Sequence, residues 1–287
     1  MQHSPRYEGS PLISIDDAPD SQLAPAARQR RRLEDALGSL DDDQWAAPTR
    51  CERWDVADVV AHLVSVNNFW TLSITEGLAG RPTRYLEYFD PAVTPGELVA
   101  GARGTPPPQL LDQLVTSNDR LLNLVGQLDD PGWSKLAECP VGHLPVRLVL
   151  QHGLWDGWVH ERDIVLPLGL TVAVEPDEVI SSLVYASALS PAFALIRGDA
   201  PAGQFALVTD SPPSAWVLEV DDRVTVRPGV AAPATDALAG AAVDLAEALS
   251  LRAPLPSRAP ERWRRLVAGG LAAAFGVDSQ RGATERP

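Results

Sequence analysis

The chain of 287 residues contains few cysteines, few basic residues and no apolar run long enough to span a bilayer. Cys51 and Cys139 lie far apart in sequence, and the sequence does not decide whether they form a disulfide. Two cysteines do not, however, form the framework of a small secreted domain. The longest apolar stretches, residues 183–196 and 266–277, fall short of the about 20 residues that cross a membrane. The N-terminus lacks the basic and apolar regions of a signal peptide. We therefore expect a cytoplasmic protein without a membrane partner.

Positive charge is also scarce. The sequence has 24 lysines and arginines against 38 acidic residues, a formal net charge of −14. A surface this acidic repels phosphate backbones, which argues against a nucleic-acid partner. The densest basic run, residues 28–32, continues a helical pattern, and we interpret it as a solvated helix face. No G-x-S-x-G, G-x-x-x-x-G-K-[ST] or G-x-G-x-x-G motif occurs, so hydrolase, P-loop and dinucleotide functions lack support.

The length predicts two domains. Residues 1–21 are polar and aperiodic and are predicted to form a disordered leader. Residues 22–170 are predicted to form a four-helix bundle, and residues 171–287 a smaller α+β domain. The predicted bundle helices cover residues 22–40, 55–80, 106–128 and 145–164, with a long crossover at 81–105 and a loop at 129–144. The C-terminal domain is predicted to have helices at 176–196, 236–251 and 261–275, and strands at 205–209, 215–220 and 223–227.

Three charged or titratable residues of the predicted bundle suggest a metal centre. His62 shares a face of the second helix with Val59 and Val66 and should point inward. Asp156 and His160 are four residues apart on the fourth helix, so their side chains project from one face. Burying these groups without a cation would cost several kcal/mol, whereas a divalent ion uses their lone pairs. Three protein ligands would leave one position open, as in catalytic metal sites.

Simpler interpretations exist for each of these residues. His62 can be a satisfied core histidine, and Asp156 and His160 can form a solvent-facing ion pair. His152, two turns before His160, and Asp163, three residues after it, lie on the same helix and extend the polar face. The apolar flanks of the helix, which include Trp155 and Trp158, argue against a solvent-facing pair.

Two further residues could carry chemistry. Cys51 precedes the second helix and is either a reactive thiol or, more commonly for a free cysteine, a small buried side chain. Arg252 follows the predicted helix at 236–251. Its guanidinium can bind a carboxylate or cap the C-terminal end of that helix.

The sequence also resembles a known family. The run LDDDQWAAPTRCERWDVADVVAHL at residues 40–63, followed about ninety residues later by HGLWDGWVHERDI at 152–164, resembles the mycothiol-dependent maleylpyruvate isomerase family. The resemblance covers about residues 25–170. It implies a DinB-like metal-binding four-helix bundle, and the WVLEVDDRVTVRPG and AVDLAEALSLRAPLP segments more loosely resemble the family's sterol-carrier-like C-terminal domain.

The resemblance implies roles for individual residues. The family's zinc-binding histidine corresponds to His62, and a Glu and a His four apart on the fourth helix correspond to Asp156 and His160. Aspartate replaces glutamate here, so the ion must lie closer to this helix, or His152 serves instead. Arg252 is the best match to a catalytic arginine of the C-terminal domain.

The implied function is a metal- and mycothiol-dependent reaction on a small electrophilic substrate, either isomerisation or S-transfer. Two nitrogens and one oxygen favour zinc, with nickel or iron as alternatives. The acidic composition weakens the case for an isomerase of anionic substrates and keeps the transferase as an alternative. A thiol-independent zinc lyase or cyclase, and a non-catalytic metal-binding module, remain alternatives. The substrate, the metal and the choice between monomer and homodimer stay open.

Overall fold

The structure is a computed structural model, and it describes residues 4–18, 20–232 and 235–276. The helices are α1 (Leu23–Gly38), α2 (Asp42–Trp45), α3 (Val56–Leu78), α4 (Thr94–Ala102), α5 (Pro107–Val125), α6 (Asp130–Trp133), α7 (Val146–Val165), α8 (Pro176–Arg197), α9 (Ala242–Leu249), α10 (Glu261–Val267) and α11 (Ala273–Phe275). The strands are β1 (Ile13–Ile15), β2 (Leu136–Cys139), β3 (Gly142–Pro145), β4 (Gly203–Asp210), β5 (Pro213–Val220), β6 (Val224–Pro228) and β7 (Asp236–Gly240).

Helices α1, α3, α5 and α7 form the predicted four-helix bundle. Helix α3 begins where the sequence predicts, because the Asp55 side chain accepts a hydrogen bond from the Asp58 backbone N–H at 2.8 Å and caps the first turn. Helix α7 follows Pro145 and is buried along nearly its whole length. Its central position brings residues of α7 into contact with both α1 and α3.

The C-terminal part contains a five-stranded sheet in the order β1-β6-β5-β4-β7. Strands β4, β5 and β6 are antiparallel neighbours, as the three predicted strands imply. Helix α8 packs against this sheet and against α7, and so connects the two parts of the fold. The fold is thus mainly α, with a four-helix bundle followed by a smaller α+β region, as predicted. The exact domain boundary near residue 170 stays a prediction.

Several local predictions are wrong. The predicted helix at 236–251 is divided into β7 and α9, because residues 236–240 pair in parallel with β4 and bury Leu238. This tertiary pairing overrides the helical preference of an Ala-rich segment. The predicted loop at 129–144 contains α6 and the β2–β3 hairpin, and the crossover contains α4 and a 3₁₀ turn at Tyr85–Tyr88.

The predicted disordered leader is also wrong for its middle part. Residues 13–15 form β1, which pairs in parallel with β6, and Leu12, Ile13 and Ile15 are almost completely buried. A short ISI segment among polar residues gives no local signal for a partner strand that lies more than 200 residues away.

The basic run at 28–32 is not a solvated face. Gln29 and Arg30 are buried, and Arg32 forms salt bridges with Glu161 of α7 and Glu178 of α8. Arg28 and Arg32 lie where α1 faces α7 and α8 and bind carboxylates of those helices, whereas Arg31 is exposed and pairs with Glu34 and Asp119. A charge run alone does not indicate whether its partners are water or protein.

Helix α8 has the length and apolar character of a membrane span, with 22 residues and a mean hydropathy of 1.8 in its most apolar window. It matches the predicted helix at 176–196 closely, begins before the apolar stretch at 183–196, and continues through Pro191. However, 78% of that window is buried against the rest of the fold. Helix α8 is therefore a core helix of this structure.

Candidate metal centre

The three residues predicted as metal ligands come together between α3 and α7. His62 lies two turns into α3, and Asp156 and His160 lie one turn apart on α7. The distance from His62 Nε2 to Asp156 Oδ2 is 3.8 Å, and that from His160 Nε2 to Asp156 Oδ1 is 3.5 Å. One potential ligand atom from each residue lies within 4.8 Å of the other two. Their roles as ligands stay a prediction.

These distances fit a metal ion. Two ligand atoms about 2.1 Å from a tetrahedral zinc ion are about 3.4 Å apart, close to the observed 3.5 and 3.8 Å. The imidazole rings of His62 and His160 meet edge to face with centroids 4.9 Å apart, so the rings do not stack over each other's nitrogens. Although aspartate is one methylene shorter than glutamate, the Asp156 carboxylate lies near both His62 and His160, so the three residues form a group without His152.

A neighbouring carboxylate orients His160. Its Nδ1 lies 3.1 Å from Oδ2 of Asp163, which is completely buried one turn further along α7. An ionised carboxylate only accepts hydrogen bonds, so Nδ1 carries a proton, and Nε2 is the ring nitrogen that faces Asp156 and His62. Carboxylate partners of this kind fix the tautomer and the ring orientation of metal-binding histidines.

The pKa values follow from burial and from this arrangement of charges. Burial lowers the pKa of His62, and Asp156 offsets this only in part. Burial also opposes protonation of His160, but Asp156 and Asp163 together raise its pKa to about 10. Burial works against the charge of Asp156 too, yet His160 and His62 hold its pKa below the usual range. A metal ion would therefore have to displace a proton from His160.

Arg252 lies on the outer side of Asp163. Its Nε and Nη2 atoms are each 2.8 Å from a different carboxylate oxygen of Asp163, a bidentate ion pair. Leu251, immediately before it, has a left-handed φ of 61°, which is unusual for a residue with a side chain and directs the following arginine. The predicted catalytic arginine is thus next to the candidate centre, but it contacts Asp163 and none of the three candidate ligands.

Cys51 completes a second cluster with His160 and Asp163. Its Sγ lies 3.2 Å from Asp163 Oδ2, 3.6 Å from His160 Nδ1 and 3.6 Å from Arg252 Nη2. These residues could ligate a cation by their chemistry. Arg252 already supplies a positive charge there, since both Asp163 oxygens accept hydrogen bonds from it. We therefore interpret this cluster as a set of contacts that orients the His160 ring, not as a second metal site. The sequence motif T-x-C-x-x-W gave no indication of this contact.

Charged contacts join the bundle to the C-terminal part around the same place. Glu247 of α9 forms salt bridges with Arg50 and with Arg162 of α7, and Trp155 Nε1 donates to Ser250 Oγ at 2.8 Å. These contacts hold the C-terminal end of α9 against α7. They explain how an arginine from a distant part of the sequence reaches the candidate centre.

His152 lies apart from the candidate ligands. Its Nδ1 is 2.9 Å from the Tyr185 hydroxyl and 3.6 Å from Cys139 Sγ, and its ring packs against Trp70 and Trp155. Among the described residues it belongs to neither cluster of potential ligands. Cys51 and Cys139 are both free, so the disulfide that the sequence left open does not form here.

Comparisons with known proteins agree with this architecture. Residues 26–165 match the family described as "Mycothiol maleylpyruvate isomerase N-terminal domain". A crystal structure of the mycothiol-dependent maleylpyruvate isomerase superposes with a TM-score of 0.60 at 17% identity, covering 83% of this chain and 90% of that one. A histidine-to-alanine mutant of that isomerase gives the same TM-score at 16% identity, with the same coverage.

YfiT from Bacillus subtilis, described as a probable metal-dependent hydrolase with an unusual four-helix bundle topology, matches with a TM-score of 0.43 at 19% identity. That match covers 59% of this chain and 95% of YfiT. A search of the curated proteins gave no match. The family match over residues 26–165 confirms the resemblance that the sequence motifs indicate. The two isomerase structures, which cover 83% of this chain, show a shared fold over both parts of the chain.

Proposed function

We propose that this chain is a metal- and mycothiol-dependent enzyme that acts on a small electrophilic substrate, by isomerisation or by S-transfer. One observation carries the proposal: His62, Asp156 and His160 converge with ligand atoms within 4.8 Å of one another, inside a domain of the mycothiol maleylpyruvate isomerase family. Zinc is the metal we favour, with nickel or iron as alternatives, and the cytoplasm is the proposed location. When bound, the metal supplies a Lewis acid that makes thiolate the stable form of a bound thiol near neutral pH.

The chain's own residues prepare this centre. Asp163 holds a proton on His160 Nδ1, so that Nε2 is the nitrogen that acts as a ligand when the metal displaces its proton. The Trp54 ring lies 5.3 Å from the ring of His62 and restricts its orientation. The candidate ligand side chains retain between 10% and 14% of their accessible surface, so most water is excluded from them while some access is left.

Arg252 remains our proposed catalytic-site residue. Two of its three nitrogen atoms bind Asp163, and Nη1 donates to the Ser250 carbonyl at 3.3 Å. We propose that it acts as a positioning residue, which keeps Asp163 ionised and directed at His160. Its positive charge also offsets the acidity of the chain at the place where an anionic substrate or thiol would approach.

The test is to load the purified chain with zinc and to measure consumption of an electrophile, such as a maleate-type ene-dicarbonyl acid, with and without mycothiol. We expect turnover that needs both the metal and the thiol, and loss of turnover in His62→Ala. An unsaturated product without sulfur would identify an isomerase, and a thioether product an S-transferase. Metal-dependent turnover that is unchanged when thiols are absent would contradict the proposal and favour a lyase or cyclase.

A further inference from the structure

A small cavity lies beside Asp156, on the bundle side of the candidate centre. It has a volume of about 10 Å³, enough for one water molecule and too small for an organic ligand. Its lining includes Gln29, Arg30, Asn67, Trp70, Gly153, Asp156 and Gly157. Leu33, Leu63, Val66 and Leu114 supply apolar surface to the same lining, so a bound water has to be argued from the individual polar groups that face the cavity.

Two glycines of α7 keep this space open. Gly153 and Gly157 are one turn apart and lie on either side of Asp156 in the sequence. A Cβ atom at position 157 would lie 2.6 Å from Gln29 Oε1, and one at position 153 would lie 3.2 Å from Arg30 Nη2. A side chain at position 157 would thus take the space beside the Gln29 amide.

Arg30 is a buried cation with incomplete hydrogen bonding. Its side chain donates at 3.3 to 3.4 Å to three uncharged oxygens, those of Ala26 and Gly153 in the backbone and that of the Asn67 side chain. Its Nε–H has no partner among the described residues. Burial lowers the pKa of Arg30 to about 10, with Asp156 as the main opposing influence, so the group stays charged at neutral pH.

The other unpaired atoms around the cavity complement this donor. Trp70 Nε1 is a buried donor and Gln29 Oε1 a buried acceptor, and within the described residues neither has a partner. Leaving such groups unpaired costs about 1 to 3 kcal/mol each. A water molecule accepts two hydrogen bonds and donates two. Arg30 and Trp70 supply the donors, and Gln29 and the Asp156 carboxylate supply the acceptors.

We propose that this cavity binds one water molecule through which Arg30 holds the Asp156 carboxylate, so that Arg30 is a positioning residue of the metal centre. The inference rests on the proposed function, because it assigns Asp156 as a ligand. It explains why a charged residue is buried here, and how a carboxylate one methylene shorter than the family's glutamate is fixed in place. Partners that orient ligands contribute 10- to 100-fold in metal affinity.

The test measures zinc affinity by competition with a chromophoric chelator. Arg30→Met, which removes the charge and the donors at similar length, and Gly157→Ala, which displaces the Gln29 amide, are each expected to weaken zinc binding about 10- to 100-fold. Arg30→Lys should fall between Arg30→Met and the wild type. The control is Arg31→Met, on the exposed side of the same helix, which should bind zinc like the wild type.

Thermal unfolding of the metal-free variants separates positioning from folding. Gly157→Ala should change the unfolding midpoint little, because its Cβ meets only the movable end of the Gln29 side chain and alanine favours a helix more than glycine does. It therefore carries the test even where Arg30→Met fails to fold. Unchanged zinc affinity in a folded Gly157→Ala would overturn the inference. So would a high-resolution structure of the zinc-loaded wild type with no water between Arg30 and Asp156. A wild-type chain that binds no zinc would instead overturn the proposed function.

Discussion

The Nδ1 atom of His160 lies 3.1 Å from the Oδ2 atom of Asp163, one turn along the same helix. The opposite nitrogen of the same ring faces Asp156 at 3.5 Å. One imidazole is therefore held between a buried carboxylate that arginine neutralises and a carboxylate that faces the candidate centre. This chain of contacts gives the two carboxylates separate roles: Asp163 orients His160, and Asp156 faces the candidate centre.

Asp163→Asn tests the first of these roles. Asparagine keeps the shape but removes the charge that holds His160 Nδ1–H, so we expect zinc affinity to fall about 10- to 100-fold. The measurement is chelator competition at neutral pH. Asp119→Asn is a matched control, because Asp119 also pairs with an arginine but on the exposed outer side of the bundle. Equal losses in both variants would show that the effect is not specific to His160.

Asp156 variants test the second role. Asp156→Asn removes the anionic ligand, and we expect its zinc affinity to fall by more than the ~100-fold upper end for a supporting residue. Asp156→Glu keeps the charge but adds a methylene where the carboxylate oxygens already lie 3.5 and 3.8 Å from the two imidazoles. We therefore expect a smaller loss for glutamate than for asparagine. The reverse order, from isothermal titration of both variants, would exclude Asp156 as a ligand.

Arg252→Met tests the proposed positioning residue. Without the guanidinium, Asp163 loses its two shortest hydrogen bonds and keeps the longer contacts with His160, Cys51 and Arg50. We expect kcat/KM for the thiol-dependent reaction to fall about 100-fold, as for a small misplacement of a catalytic group. Zinc affinity should fall as well, because the effect passes through His160. Arg227→Met, which removes an exposed arginine of β6 that is paired with Glu219 of β5, is the control. A loss of kcat/KM with zinc affinity unchanged would show instead that Arg252 contacts the substrate.

The buried His152 should make the free energy of unfolding depend on pH. Burial lowers its pKa from 6.5 to about 4 in the folded chain. The unfolded chain therefore binds the proton more readily, and acid favours unfolding. The free energy of unfolding should fall by up to ~3 kcal/mol from this group as pH drops from 6.5 towards 4.

The measurement is urea unfolding of the metal-free wild type and of His152→Gln across this pH range. The variant lacks the titrating group, so its stability should fall less steeply than that of the wild type. Parallel curves would contradict a neutral, buried His152 hydrogen-bonded to Tyr185.

Local patterns were sufficient to predict the parts of this fold whose interactions are close in sequence. The Asp55 cap, the proline before α7 and the four-residue spacing of Asp156 and His160 depend on the nearest one or two helical turns. The same patterns place His62 on the inner face of α3. These signals predict which residues face each other across the bundle.

Interactions between distant residues were beyond such patterns. Strand β1 pairs with a strand about 210 residues away, and Asp163 meets an arginine 89 residues later. The burial of Arg30 depends on the space left by Gly153 and Gly157 on another helix. The charged run at 28–32 was predicted to be solvated because the local sequence does not indicate which helices pack over it.

The most direct test of the metal centre is the zinc content of three proteins: the wild type, His62→Ala and His143→Gln. Each would be loaded with zinc, dialysed and measured by elemental analysis. His143 is a buried histidine whose Nε2 lies 2.8 Å from the Thr83 carbonyl, away from the candidate ligands, so it controls for loss of a histidine as such. We expect about one zinc per chain in the wild type and in His143→Gln, and almost none in His62→Ala. Full zinc occupancy in His62→Ala would contradict a centre built from His62, Asp156 and His160.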